Sequence, residues 1–579
     1  MEVRVFQIQI LHFIQDFTVS LIVVYSLSLI CRAKAGAGNR WWPKSRGVDV
    51  AAIGLLAVVL ASGISWLRPP LPAIHDEFSY LLAADTFSDG RFANPTHPMW
   101  RHFETMHVIQ QPTYASKYPP GQGMILALGK ILADNPDVGL WLSSGLAAAA
   151  AVWMLRGWMP RRWALLGGLF TALHPGIQLI WTQSYWGGNV AFIGGALVLG
   201  AYARLRRMPC CRDAVWMSAG LAILANSRPL EGAVASLPVA LAMFAWPIRE
   251  WVAKGRGSSD RLAMPRQWLT SMAVPLAGGL GVTALFMGYY NWRVTGDPWR
   301  MPYAVHEQTY GATPVFLWQP AGAMPEYRHA EIRELHGWLR ATYLAQQSRA
   351  GFFTEKTTAF VHLWQFYLGI ALSIPFLALP WILRQSRYWL PTAVVVAVGS
   401  VLLMTTWANP HYAAPAGPAL LLLAVQGIRH LRIRTRRRTT RRSLLIRALV
   451  LTQLFGFVPA VCGHVLQGPN AFAARRAEMV RHLQTSPGRH LIIVRYWPEH
   501  NIHQEWVYNE ADIEAAKIVW ARSMHSRADR QLAAHFADRR IWLLSADEEP
   551  PQLVPYRVPP RPMKLAGPED VTDGFADRP

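Results

Sequence analysis

Two adjacent carboxylates open the segment of this chain that is richest in chemistry. It reads His75-Asp76-Glu77-Phe78-Ser79-Tyr80, then Asn94-Pro95-Thr96-His97-Pro98, His102-Phe103-Glu104, His107 and Lys117-Tyr118-Pro119-Pro120-Gly121. Pro69, Pro70 and Pro72 end the apolar run that precedes the two carboxylates. Both acids therefore stand at its boundary, where charge is costly and points to function. A solvated loop with ordinary acids is the plain alternative. His97, His102, Glu104 and His107 could gather a divalent cation, although their spacing matches no zinc pattern.

Further candidates lie at other helix ends. Arg228, in Asn226-Ser227-Arg228-Pro229-Leu230-Glu231, could meet an anion or simply pair with Glu231. His411-Tyr412 lies between Trp407 and Pro415, where an interfacial aromatic belt is the competing reading. Trp181, Tyr185 and Trp186 read first as interface anchors, and Asn291-Trp292 with Gly296-Asp297-Pro298 as a turn after a helix. There is no P-loop and no dinucleotide fingerprint. Gly278-Gly279-Leu280-Gly281 lies inside an apolar run and reads as helix packing. The four cysteines form no disulfide framework.

The elements that must position these residues are membrane helices. Of 579 residues, 52% are hydrophobic and only 16% charged, with 26 Trp and a net charge of +22. Apolar runs cover 8–30, 48–67, 138–155, 163–181, 190–205, 214–225, 233–246, 268–290, 357–383, 389–407, 412–428 and 444–466. Several reach the ~20 residues that a span requires. The reading is a mainly α polytopic membrane protein of about 11–13 transmembrane helices. About half of the 57 Lys and Arg fall in every second connection, the densest being Arg429–Arg447. That alternation places the basic connections in the cytoplasm and the loops 68–137 and 291–356 outside. The charge is thus a topology signal rather than a nucleic-acid footprint.

The chain divides into 1–47, an N-terminal helix with a basic segment; 48–466, the membrane body; and 467–579, a small external α/β domain with a Pro-rich end. Ala33-Lys34-Ala35 mimics a cleavage site, but the basic cluster follows the apolar run, which favours an uncleaved helix. In the tail, Leu491–Val494 and Ile541–Leu544 read as strands, and 512–521 and 528–537 as helices.

An apolar helix, then Asp76-Glu77 with Tyr80 three residues on, then Lys117-Tyr118-Pro119-Pro120 before the next helices, resembles the GT-C glycosyltransferases. It is most similar to the bacterial branch of aminoarabinose transferases, protein O-mannosyltransferases and Rgt-type sugar transferases, which often carry Lys-Pro-Pro without the intervening Tyr118. The resemblance implies an inverting glycosyltransferase, hexosyl- or pentosyl-, that moves a sugar from a polyprenyl-phosphate donor to a lipid, glycan or protein acceptor. It implies a site on the outer face of the bacterial cytoplasmic membrane. Asp76 would be the base and Glu77 its helper. Lys117, Tyr118, Arg228, His411, Tyr412 and Tyr80 would bind the donor, and His97, His102 and Glu104 the acceptor. No metal ligand is assigned, though a divalent cation is a candidate cofactor. A transporter or flippase for a lipid-linked glycan, or a non-catalytic glycan-binding assembly protein, is the alternative. A transporter, however, would carry ionisable groups mid-span, and most spans here lack them.

Overall fold

The computed structural model describes residues 47–253, 268–435 and 440–556. The apolar run 8–30, Cys31 and most of the Pro-rich end lie outside those residues. Among the described residues, six helices are long and apolar enough to cross a membrane: Val48–Leu67, Pro136–Trp158, Gly188–Leu205, Leu269–Thr295, Ser386–Met404 and Arg447–Gln467. A seventh span arises if Arg349–Tyr367 and Gly369–Ile382, bent by 90° at their break, count as one. Other runs fold as shorter helices. The run 163–181 is a helix at Arg161–Ala172 followed by a π-helical turn at Gly176–Trp181. The run 214–225 becomes Cys211–Ala225.

The helices Val48–Leu67, Pro136–Trp158, Arg161–Ala172 and Gly188–Leu205 pack closely through small residues. At Gly54 an added Cβ would lie 3.1 Å from the Gly145 carbonyl. The basic end of this bundle is pinned by Asp49, fully buried, which accepts hydrogen bonds from Arg156 and Arg161. Removing one partner of such a pair leaves an uncompensated charge, which is why it holds.

At the other end, the segment 68–137 is ordered structure rather than open loop. His75–Ser88 and Pro120–Ala133 are helices. Between them, β1 (Asn94–Pro95), β2 (Val108–Ile109) and β3 (Thr113–Ser116) form a small antiparallel sheet in the order β1-β3-β2. The tail carries a second sheet of β4 (His490–Arg495), β5 (Ile518–Arg522), β6 (Arg540–Ser545) and β7 (Gln552–Pro555), ordered β5-β4-β6-β7. The first three run parallel and β7 antiparallel. Burial of the Leu491–Val494 run fits an inner parallel strand.

The helix expected over 512–521 is absent. Asp512 caps one turn, its carboxylate accepting from the Ala515 N–H at 3.0 Å, and the chain then extends into β5. The run Val519-Trp520-Ala521 is buried throughout, so its lack of alternation hid a strand.

Tail and first loop share one apolar cluster. Phe78, Leu82, Phe103, Val108 and Tyr114 pack with Leu491–Val494, Trp506 and Trp520. Phe78 stacks on Tyr508 with ring centroids 4.4 Å apart. Arg522, fully buried, binds Glu505 of the tail, Glu331 of the second loop and the Glu104 carbonyl of the first.

Candidate active site

The proline run leaves Ile74 extended, and His75–Ser88 starts immediately after it. Glu77 caps this start: its carboxylate accepts from the Ala73 N–H at 2.8 Å and the Ile74 N–H at 3.2 Å. Its other oxygen accepts from the Tyr185 N–H at 3.1 Å. Glu77 is thus buried and saturated by backbone donors. Burial outweighs those bonds and pushes its pKa up to about 7, with the charge of Asp76 adding to the rise.

Asp76 differs. Its side chain is 29% exposed and sits in the first helical turn, where the helix dipole favours an anion. The Tyr118 hydroxyl donates to it. His75 Nδ1 lies 3.1 Å and His107 Nε2 3.9 Å from its Oδ2. Burial works against ionisation, but His107, His75 and Tyr118 outweigh it and hold the carboxyl well below the usual carboxylate range. Burial and the Lys117 charge push the His107 imidazole well below its ordinary value. These partners together favour the carboxylate form of Asp76.

The strand β3 delivers Lys117. Ser79 Oγ donates to the His107 carbonyl at 2.7 Å and meets Ser116 Oγ at 2.7 Å, which locks the strand against the Asp76 helix. Tyr118 stacks on Tyr80 with centroids 4.5 Å apart. Pro119 and Pro120 then start the next helix. The Gly121 N–H donates to the Asn226 carbonyl at 2.7 Å, and a Cβ at this glycine would collide with that oxygen. This contact brings the Lys117 strand and the Arg228 turn together. Arg228 lies over the Tyr412 ring at 4.5 Å, and His411 packs on Trp186 at 5.0 Å. Among the described ion pairs none joins Arg228 to Glu231.

His97, His102 and Glu104 are committed elsewhere. His97 bonds Glu514 at 2.9 Å, and His102 bonds the Arg522 carbonyl at 2.8 Å. Glu104 accepts from the Tyr310 hydroxyl at 2.9 Å and from Arg328 at 2.8 Å. Their polar atoms tie the segment 68–137 to 291–356 and to the tail. Glu104 also lines a cavity of about 450 Å³ with Trp100, Gln110 and Tyr327.

Four participants escaped the sequence reading: His75, Tyr303, His306 and Glu307. Glu307 Oε1 lies 3.5 Å from Lys117 Nζ, whose side chain is 7% exposed. Lys117 Nζ also sits over the rings of Tyr303 at 5.1 Å and Tyr118 at 5.6 Å. Burial raises the Glu307 carboxyl, but Lys117 and His306 prevail and hold it at about 2. The readable signal was local: Tyr303 and Glu307 are four apart in the helix Pro302–Tyr310, hence on one face.

Two groups have metal-ligand composition. In His75, Asp76 and His107 the three ligand atoms lie within 4.8 Å of one another. His107 Nδ1 and His75 Nε2 are buried with no hydrogen-bond partner. Two imidazoles and a carboxylate with free lone pairs could hold a divalent cation. The second group is His97, Glu514 and His535. There the Met99 N–H donates to His97 Nδ1 at 2.9 Å, which puts the His97 proton on Nε2, facing Glu514. His97 is then a donor rather than a ligand.

No protein-family model and no curated protein sequence matches the chain. Solved structures do. ArnT from Cupriavidus metallidurans bound to undecaprenyl phosphate has a TM-score of 0.47 at 13% identity, covering 87% of this chain and 94% of its own. The Archaeoglobus fulgidus oligosaccharyltransferase in complex with Zn and sulfate has a TM-score of 0.47 at 11% identity, covering 85% and 67%. The archaeal oligosaccharyltransferase AglB from the same organism, with an inhibitory peptide and a dolichol-phosphate, has 0.44 at 11%, covering 86% and 69%.

Proposed function

We propose that this chain is an inverting glycosyltransferase that moves a sugar, hexosyl or pentosyl, from a polyprenyl-phosphate donor to a cell-envelope acceptor. The observation that carries this reading is the convergence of a partly exposed, ionised Asp76 with Lys117 and Arg228 on one clamp, Gly121 to Asn226. In the reaction, the acceptor oxygen bonds to the anomeric carbon and gives its proton to Asp76. The bond from that carbon to the lipid phosphate breaks on the opposite face, so configuration inverts. Lys117 and Arg228 neutralise the departing phosphate, which requires cations more than an acid. Glu77, spent on backbone donors, holds the helix start and with it Asp76.

A depressed pKa makes Asp76 a weak base at rest. The Tyr118 hydroxyl donates to Asp76, and loss of that bond would strengthen the base. His411 and Tyr412 close the Arg228 side of the site. Arg156 and Arg161 meet Asp49 at the start of Val48–Leu67, whereas Asp76 follows the other end of that helix, which supports an active site facing away from the cytoplasm of a bacterial inner membrane.

Asp76→Asn should abolish transfer, by at least about 10²-fold, with expression and membrane insertion unchanged. The measurement is a membrane assay with a supplied polyprenyl-phosphate sugar. Full activity of this variant would remove the base assignment.

A further inference from the structure

We propose that a groove at the basic end of the bundle is a binding site for the headgroup of an anionic phospholipid. The groove has a volume of about 380 Å³ and lies between three helices: Arg161–Ala172, Gly417–Thr435 and Thr440–Phe455. Each contributes one arginine, Arg162, Arg432 and Arg447 respectively, and no carboxylate is among the described residues that line the groove. The nearby buried acid, Asp49, is already bound by Arg156 and Arg161. Below the arginines the lining turns apolar, with Leu166, Ile428 and Val450.

This order of layers, cations above a hydrocarbon floor, matches a phosphodiester with acyl chains and not a free phosphate. An inorganic anion has no use for the floor. A zwitterionic lipid carries its own ammonium, which three guanidinium groups repel. Arginine suits the phosphodiester because its planar fork offers paired donors to two oxygens. Arg432 also lies over the Trp163 ring at 5.8 Å, which holds it at the rim of the groove. Basic pockets between membrane helices recognise anionic headgroups by this combination. Arg162 stands at one end of its helix, and the other end leads through Gly176–Trp181 to Tyr185 and Glu77. The lipid site is therefore remote from Asp76 and needs no glycosyl chemistry.

The test is native mass spectrometry of the full chain in detergent, titrated with cardiolipin, phosphatidylglycerol or phosphatidylcholine. The two anionic lipids should be retained more tightly, by about fivefold per arginine engaged. R162Q/R432Q/R447Q should erase that preference, while R207Q/R212Q, which removes charge from another connection, should leave it. Leu166→Trp keeps all three charges but fills the floor, and should also erase it. Equal retention of phosphatidylcholine, or unchanged cardiolipin binding in Leu166→Trp, would overturn the site. So would displacement of cardiolipin by millimolar inorganic phosphate alone, since the apolar floor would then contribute nothing.

Discussion

The Lys117 ammonium is enclosed by two tyrosine rings and the Glu307 carboxylate. Such a cation is held in one place by its neighbours. Glu307→Gln removes the charge that holds it, so the KM for a polyprenyl-phosphate donor should rise by roughly tenfold while the acceptor KM stays constant. Steady-state kinetics with each substrate varied in turn measure this. A fall in donor KM would mean that Glu307 competes with the phosphate instead. The histidines behind it give a second prediction at this scale. Burial holds His306 at about 4 and His336 at about 3, against an ordinary value of 6.5. The folded state keeps both neutral, whereas the unfolded chain takes up protons below 6.5. Their contribution is therefore fully present above pH 6.5 and is lost as pH falls toward 4 and then 3. Thermal unfolding across that range should show a falling midpoint, and His336→Phe should flatten the fall.

At the scale of elements, the site depends on two chain reversals meeting. The Pro119-Pro120 helix start carries Lys117, and the break between Cys211–Ala225 and Pro229–Ala253 carries Arg228. Only glycine at 121 allows the approach, because a Cβ would lie 2.7 Å from the Asn226 carbonyl. Gly121→Ala must push the two elements apart. We expect kcat/KM to fall by about tenfold with the fold intact, since small displacements of positioning groups are costly to catalysis. Assays on protein shown to be monodisperse and normally inserted test this. The break at Arg228-Pro229 was legible as a proline after the apolar run 214–225, and Pro119-Pro120 as part of the motif before the next helices. Their contact was not, because no pattern in either segment records a partner about a hundred residues away.

At the scale of the whole molecule, the tail is bound into the machinery around Asp76. It shares an apolar cluster with the segment 68–137, and Arg522 ties it to that segment and to 291–356. Arg522→Ala leaves Glu505 buried without its cation, a loss of about 3–5 kcal/mol for a pair of this kind. Limited proteolysis of the purified protein should cut the 470–556 region far faster in the variant. Transfer activity should fall with it, because His102 and the Glu104 backbone lose their seat. Unaltered protease resistance would show that the apolar cluster alone holds the tail.

Composition and pattern by themselves determined that this chain is a membrane protein, which connections are basic, and where the acids and prolines that frame Asp76 fall. Those features are local: a span needs a long apolar run, a basic connection needs only its own residues, and a helix break needs prolines. Tertiary structure decided which charges meet. It spent Glu77 on backbone donors, turned His97, His102 and Glu104 into ties between segments, and brought His75, His107 and Glu307 to Asp76 and Lys117. Such meetings arise from packing between distant segments. Packing depends on the shape of the assembled core, which no spacing within one segment encodes.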